Sequence, residues 1–184
     1  MSFYHVQPLL KKTKKVILSQ SRDMVQWVGD GYAYYRLYDM PSLVNFNNLF
    51  DLMSVDDAAR ERYYTMEKAL PDVDLGLSGD HVSWGIPFLY GNDLYQVIYT
   101  EDDAICILEE YLKPLRILKR REYHIEHVGH IPYLVVTVGR TAFAILGGDP
   151  ISADVVDRLQ ETVEVLREIA EPSEPTLFEE GAKG

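Results

Sequence analysis

The 184-residue chain has one cysteine, Cys106, and is short of cations, with 18 Lys and Arg against 29 Asp and Glu. A single thiol excludes an internal disulfide framework and thiolate-rich zinc clusters, so nothing requires an oxidising compartment and a cytoplasmic protein is expected. The net charge of −11 excludes a protein that coats nucleic acid with its whole surface, because phosphate binding rests on clustered cations. No apolar run approaches the roughly 18 residues of a membrane span, and Met1-Ser2-Phe3-Tyr4-His5 lacks the charged-then-apolar layout of a signal peptide. No membrane partner is expected. Glycines form neither GxGxxG nor a P-loop, and Gly147-Gly148-Asp149-Pro150 reads as a strand-to-helix turn. What remains is a chain with 47% hydrophobic residues, suited to one globular domain over residues 1–170.

Two stretches share an order of elements. Phe3 to Val6 is short and strand-like, Pro8 opens a helix to Lys15, and the strands Val16–Ser19, Val25–Val28 and Tyr32–Tyr38 follow, the last two joined by Gly29-Asp30-Gly31. Later, Ala104–Leu108 is strand-like, Glu109–Arg121 helix-like, and three strands come after: Tyr123–Glu126, Tyr133–Thr137 and Ala142–Leu146, with a turn at Gly139-Arg140-Thr141. The units span 3–39 and 81–149. Between them an insert, 42–80, carries helix spacing over Ser42–Met53 and Asp56–Leu70 and then an acidic loop. Within 81–99, Gly91-Asn92-Asp93 marks a turn. A further helix is expected over 152–170, capped by Ser152, and a mobile acidic tail over 171–184.

Half of the basic residues fall in two runs without acidic interruption. Lys11, Lys12, Lys14 and Lys15 form the first; Lys113, Arg116, Lys119, Arg120 and Arg121 form the second. These are the equivalent helices of the two units. At about 100° per residue, Leu108, Tyr111, Leu115 and Leu118 share one side of the second, opposite Lys113, Arg116 and Arg120. An acidic body with a basic strip would hold a polyanion on one face, whereas the alternative is a solvated face that aids solubility. Pro114 strains the helix reading unless the helix begins only a few residues earlier.

The segment Ile105-Cys106-Ile107-Leu108-Glu109-Glu110-Tyr111-Leu112-Lys113-Pro114-Leu115, followed by the apolar strands Pro132–Val136 and Ala142–Leu146, resembles a domain of the bacterial beta-type DNA polymerase sliding clamp. The first unit is similar more loosely, through Leu9-Leu10-Lys11-Lys12. The resemblance implies a DNA-facing surface, carried over to Lys11, Lys12, Lys14, Lys15, Lys113, Arg116 and Arg120. It further implies double-stranded DNA or a replication protein as partner; a ring would need a homo-oligomer, and a separate likeness to uncharacterised prophage chains implies a phage or mobile-element origin. This chain departs from the pattern in being one domain long where bacterial clamp subunits have three, in its insert, and in its extra helix.

Other candidates are structurally explicable. In His124-Ile125-Glu126-His127-Val128-Gly129-His130, residues 124 and 126 share a strand face and 127 points away, which disfavours three converging ligands. Cys106 sits in an apolar run where a thiolate is poorly solvated. Asp102-Asp103 and Glu109-Glu110 suit a helix start. No metal, cofactor or catalytic residue is assigned. Tyr32, Tyr34, Arg36 and Tyr38 alternate onto one face, a composition that fits a protein interface, base stacking, or cross-strand pairs beneath a covering helix. The expected fold is α+β with antiparallel sheets, two strand-helix-three-strand units and peripheral helices. The expected function is a non-enzymatic, clamp-like accessory protein binding DNA or a replication partner. The rivals are a small enzyme or ligand-binding protein with a pocket between the insert and the sheet, near His81, Trp84 and Tyr90, and a protein-only interaction module.

Overall fold

Phe3 and Val6 are both buried, and a spacing of three suits a helical turn rather than a strand; Phe3–His5 accordingly form a 3-10 turn in place of the expected strand. The computed structural model describes residues 2–21, 24–38, 44–75, 82–152, 155, 157–158 and 161–165. Helix α1 (Gln7–Thr13) follows with Pro8 in its first turn, where a missing N–H costs nothing, and ends at Lys14 in the left-handed conformation. Lys15 already belongs to strand β1 (Lys15–Gln20), which pairs antiparallel with β2 (Gln26–Gly29), itself paired with β3 (Ala33–Arg36). The turn from β2 to β3 is tight enough that a Cβ at Gly29 would lie 1.8 Å from the Ala33 carbonyl oxygen.

The insert holds two short helices, α2 (Phe46–Leu52) and α3 (Asp57–Arg60), each with a side-chain cap: Asn45 accepts from the Asn48 amide and Asp56 from the Ala59 amide. The helix expected to continue to Leu70 stops at Arg60. Tyr64–Glu67 instead form strand β4, which lies parallel to β1 and takes up its free backbone groups. Residues 71–75 of the expected loop have no regular structure, and 76–80 lie outside the described residues.

Three strands come next, β5 (Ser83–Trp84), β6 (Phe88–Tyr90) and β7 (Asp93–Tyr99), with β6 and β7 joined through Gly91 at φ +64°. Then β8 (Ala104–Leu108) leads into α4 (Glu109–Leu112), which is only four residues long and passes into a 3-10 turn, Lys113–Ile117. This corrects the expected helix to Arg121. Pro114 supplies no amide for a fifth or sixth helical residue, and the chain becomes extended at Leu118. Strands β9 (Arg121–Val128), β10 (Ile131–Val138) and β11 (Thr141–Gly147) form a second antiparallel meander, turning at Gly129 and Gly139, both in the left-handed region. Strand β12 (Asp149–Pro150) pairs with β8 where a helix start was expected. Residues 155, 157–158 and 161–165 are helical, while 166–184, with the tail, lie outside the described residues.

The strands make a seven-stranded sheet in the order β4-β1-β2-β3-β11-β10-β9 and a smaller sheet β12-β8-β7-β5, with β6 also on β7. All pairings but β1 with β4 are antiparallel. The fold is α+β with antiparallel-rich sheets. The two meanders meet through their third strands, Tyr35 opposite Ala144. Because unit one opens on a 3-10 turn, the strand-helix-three-strand order is not repeated in full; the shared part is a helical turn and a meander. One face of the large sheet packs Val28, Tyr35, Leu134 and Val136 under Leu10, Leu49, Met53 and Leu115, in a cluster that includes Ile98, Ile105 and Ile107 of the smaller sheet. The other face packs Trp27, Tyr34 and Ile145 under Leu70, Val73 and Leu75.

Candidate nucleic-acid interface

The two basic runs meet at α4, through carboxylates. The Lys12 ammonium lies 2.6 Å from Glu110, and that hydrogen bond, with the nearby charges of Glu110 and Asp93, raises its pKa. On the other side of α4, Glu109 pairs with Arg116 and, at 3.7 Å, with Lys113. Acids four and seven residues away therefore hold three of the seven cations of the expected strip, or in Lys12 a partner 98 residues distant. Lys14, the left-handed cap, sits over the Tyr63 ring at 4.6 Å and donates to its hydroxyl, and Lys15 lies over Tyr32 at 5.8 Å. Lys11 makes no ion pair with any described residue. Because α1 and α4 are short, the expected continuous strip of helix cations is replaced by separate groups, three of the seven cations being ion-paired among the described residues.

Free positive charge gathers a few residues further on. Leaving the 3-10 turn, the chain places Lys119, Arg120 and Arg121 at the mouth of a cleft of about 740 Å³ between the start of β9, β5 and α4. Trp84 from β5 and Tyr123 from β9 form its aromatic wall, their rings 5.1 Å apart and nearly perpendicular. Burial pushes the Tyr123 phenol upward, so it stays neutral. Arg121 donates to the Leu115 carbonyl and lies 6.0 Å from the Tyr123 ring centroid, which ties the turn to the wall. Lys119 and Arg120 have no ion-pair partner among the described residues, and Arg120 adopts φ 56°, a left-handed conformation uncommon outside glycine. Trp84 remains 45% exposed. Chemically the cleft offers cations to phosphate and a ring to a base.

Trp84 was expected with His81 and Tyr90 in a pocket against the insert. His81 lies outside the described residues, Tyr90 is exposed on the β6–β7 hairpin, and Trp84 faces the basic turn instead. A cleft of about 520 Å³ does lie between the insert and β1, lined by Ser19, Gln20, Asn45, Glu67 and Lys68. A third, about 560 Å³, opens between the two sheets among Tyr32, Tyr95, Tyr111 and Tyr133. Cys106 lines it, its thiol donating to the Asp149 carbonyl and pushed upward by burial.

The tyrosine face does not form as expected. Tyr34 is buried because β3 is the middle strand of the large sheet, covered by residues 70–75. Tyr32 lies in the turn, and Tyr38 stacks on Phe143 at 4.9 Å with Arg36 over its ring. The histidines diverge: His124 is buried with Nε2 unpartnered, and His127 lies 3.2 Å from Asp103. Arg116 and Arg120 were expected in a basic strip, but the aromatic partner was not, because Trp84 is 39 positions upstream of Tyr123 and joins it only through sheet packing.

Fold and cleft define a class, an α+β protein of two antiparallel-rich sheets with a cationic aromatic cleft at their junction. No protein-family model, curated protein or solved structure matches the chain. Among the described residues no helix is long and apolar enough to cross a membrane.

Proposed function

We propose that this is a non-enzymatic accessory protein that holds nucleic acid at the cleft formed by Arg116, Lys119, Arg120, Arg121, Trp84 and Tyr123. The observation that carries the reading is the meeting of Lys119 and Arg120, which have no ion-pair partner among the described residues, with a half-exposed indole in one concavity that Glu109, paired to Arg116, also lines, in a molecule whose net charge is −11. A net-acidic body disfavours a polyanion over most of its surface and orients it toward a cationic opening. The sliding-clamp resemblance of Ile105–Leu115 and the strands after it supports an accessory role beside a replication protein, and the separate likeness to prophage chains supports a phage or mobile-element origin. Lys11, Lys12 and Lys113 do not line the cleft.

The test is fluorescence anisotropy at low salt with a labelled duplex and a labelled single strand, comparing the wild type with Lys119→Glu/Arg120→Glu. The reading expects binding of at least one probe by the wild type and its loss in the variant. Equal behaviour of the two proteins toward both probes refutes it. A specific observation favours the ligand-binding alternative: the cleft of about 560 Å³ between the sheets, walled by four tyrosines.

A further inference from the structure

We infer that the occupant of the Trp84–Tyr123 cleft is a single nucleic-acid strand with one base unstacked against Trp84, not a duplex; this rests on the polyanion reading above. Shape is the first argument. The opening is a concavity of about 740 Å³ between β5, α4 and β9, of the size that takes a nucleotide or two, whereas a duplex is a convex rod that needs an extended cationic face. Among the described residues the expected helix cations do not form such a face, since Lys12 is bound to Glu110, Lys113 and Arg116 are bound to Glu109, and Lys14 and Lys15 lie over tyrosine rings.

Chemistry is the second argument. The exposed indole is of use only to a base whose face is free, and bases in a duplex are covered by their neighbours. Trp84 is held against the Tyr123 ring at 86°, which fixes its plane without covering it, and leaves nearly half its surface open. Tyr123 is held in turn by Arg121, which the Leu115 carbonyl anchors. The stacking group is thus pre-positioned. Lys119 and Arg120 stand beside it as unpaired cations, and the left-handed backbone at Arg120 keeps a long cationic side chain where glycine would be the easier residue. Recognition of this kind reads the π-face and the phosphate, so it is tolerant of base sequence.

The experiment uses the full chain, an oligothymidylate of roughly 12 nucleotides, a duplex of equal length and inorganic polyphosphate as probes. Trp84→Ala and Trp84→Phe are measured beside the wild type, with circular dichroism as the check that each is folded. The expected result is that the single strand binds at least tenfold tighter than the duplex. Trp84→Ala should weaken the single strand by roughly 10- to 100-fold and leave polyphosphate unchanged, with Trp84→Phe close to wild type. Quenching of the wild-type tryptophan fluorescence by oligothymidylate should be largely lost in Trp84→Phe, because Trp27 is buried. If the duplex binds as tightly as the single strand, or Trp84→Ala binds all probes like wild type, the inference is overturned while the polyanion reading stands. If no probe binds at low salt, both fall.

Discussion

Tyr111 joins the helical layer to the sheet. Its hydroxyl donates to Asp30 Oδ2 at 3.0 Å, its carbonyl accepts from the Tyr35 hydroxyl at 2.7 Å, and the other Asp30 oxygen accepts the Tyr32 and Ala33 amides. The Asp30 carboxylate is buried, so removing its one side-chain donor leaves an oxygen without a partner. Tyr111→Phe should lower stability by about 1–3 kcal/mol, read from urea midpoints. Burial first, and Asp30 second, hold the Tyr111 hydroxyl protonated well beyond the ordinary phenol range. The unfolded chain releases this proton near pH 10, so the contribution is complete below that pH and is lost as pH rises above it. Urea midpoints at about pH 9 and 11 should therefore fall less steeply in Tyr111→Phe than in the wild type. Tyr35, also raised, chiefly by its burial, keeps part of the slope in the variant. A second residue separates stability from binding. Arg120→Gly relieves a left-handed backbone at φ 56° and should raise stability by about 1 kcal/mol while weakening the nucleic-acid probe. Loss of both, or gain of both, would contradict the assignment of Arg120 to the cleft.

Helix α4 is the element on which the charge pattern turns. Its two glutamates stand in the first turn, where the helix dipole favours them, and each reaches outward to a cation of another segment. These exposed pairs are worth little to stability, about 0–1 kcal/mol, so their effect lies in how much positive charge the neighbouring cleft presents. Glu109→Gln frees Arg116 and Lys113 at no structural cost. Single-strand affinity should then rise by roughly threefold to tenfold, and anisotropy titration of this variant checks it. The β2–β3 hairpin gives the contrary case, an element whose geometry leaves no latitude. A Cβ at Gly29 meets a backbone carbonyl, not a side chain that could move, so Gly29→Ala should cost about 3 kcal/mol or more in thermal or urea unfolding. The neighbouring Asp30, by contrast, is held by hydrogen bonds from the Tyr32 and Ala33 amides and the Tyr111 hydroxyl.

For the whole molecule the relevant quantity is the separation of charge. A net −11 with a small cationic concavity predicts weak, salt-sensitive association. Two unpaired cations at the mouth, four if Arg116 and Arg121 turn to the ligand, correspond to a slope of log affinity against log salt of about −1.5 to −3 for a single strand. A slope near zero would mean that phosphate is not what the cleft holds. The two sheets also decide which sequence features become surface. Tyr32, Tyr34, Arg36 and Tyr38 alternate as one face in an isolated strand, but pairing of β3 with β11 puts the strand at the centre of seven, and residues 70–75 cover Tyr34. Likewise Tyr64–Glu67 has acceptable helix spacing with α3, and becomes a strand because β1 offers a free edge beside it. Local preference lost to tertiary pairing in both cases.

From the residues alone came the antiparallel α+β class, most strand positions of both meanders, the turns at Gly91 and Gly139, the presence of helices in the insert though not their ends, and the gathering of cations in two runs. Those features are local: a positive φ, a proline without an amide, a capping oxygen or a period of two acts within a few residues and needs no partner. Which cations remain free was settled elsewhere, because it depends on where Glu109 and Glu110 reach once α1 and α4 lie on the same sheet. The aromatic wall of the cleft depends likewise on the junction of two sheets, which brings Trp84 to Tyr123 across 39 positions of chain. Charge and ring were written in the sequence; their proximity is a property of packing, since no short-range rule links segments that meet only when the core closes.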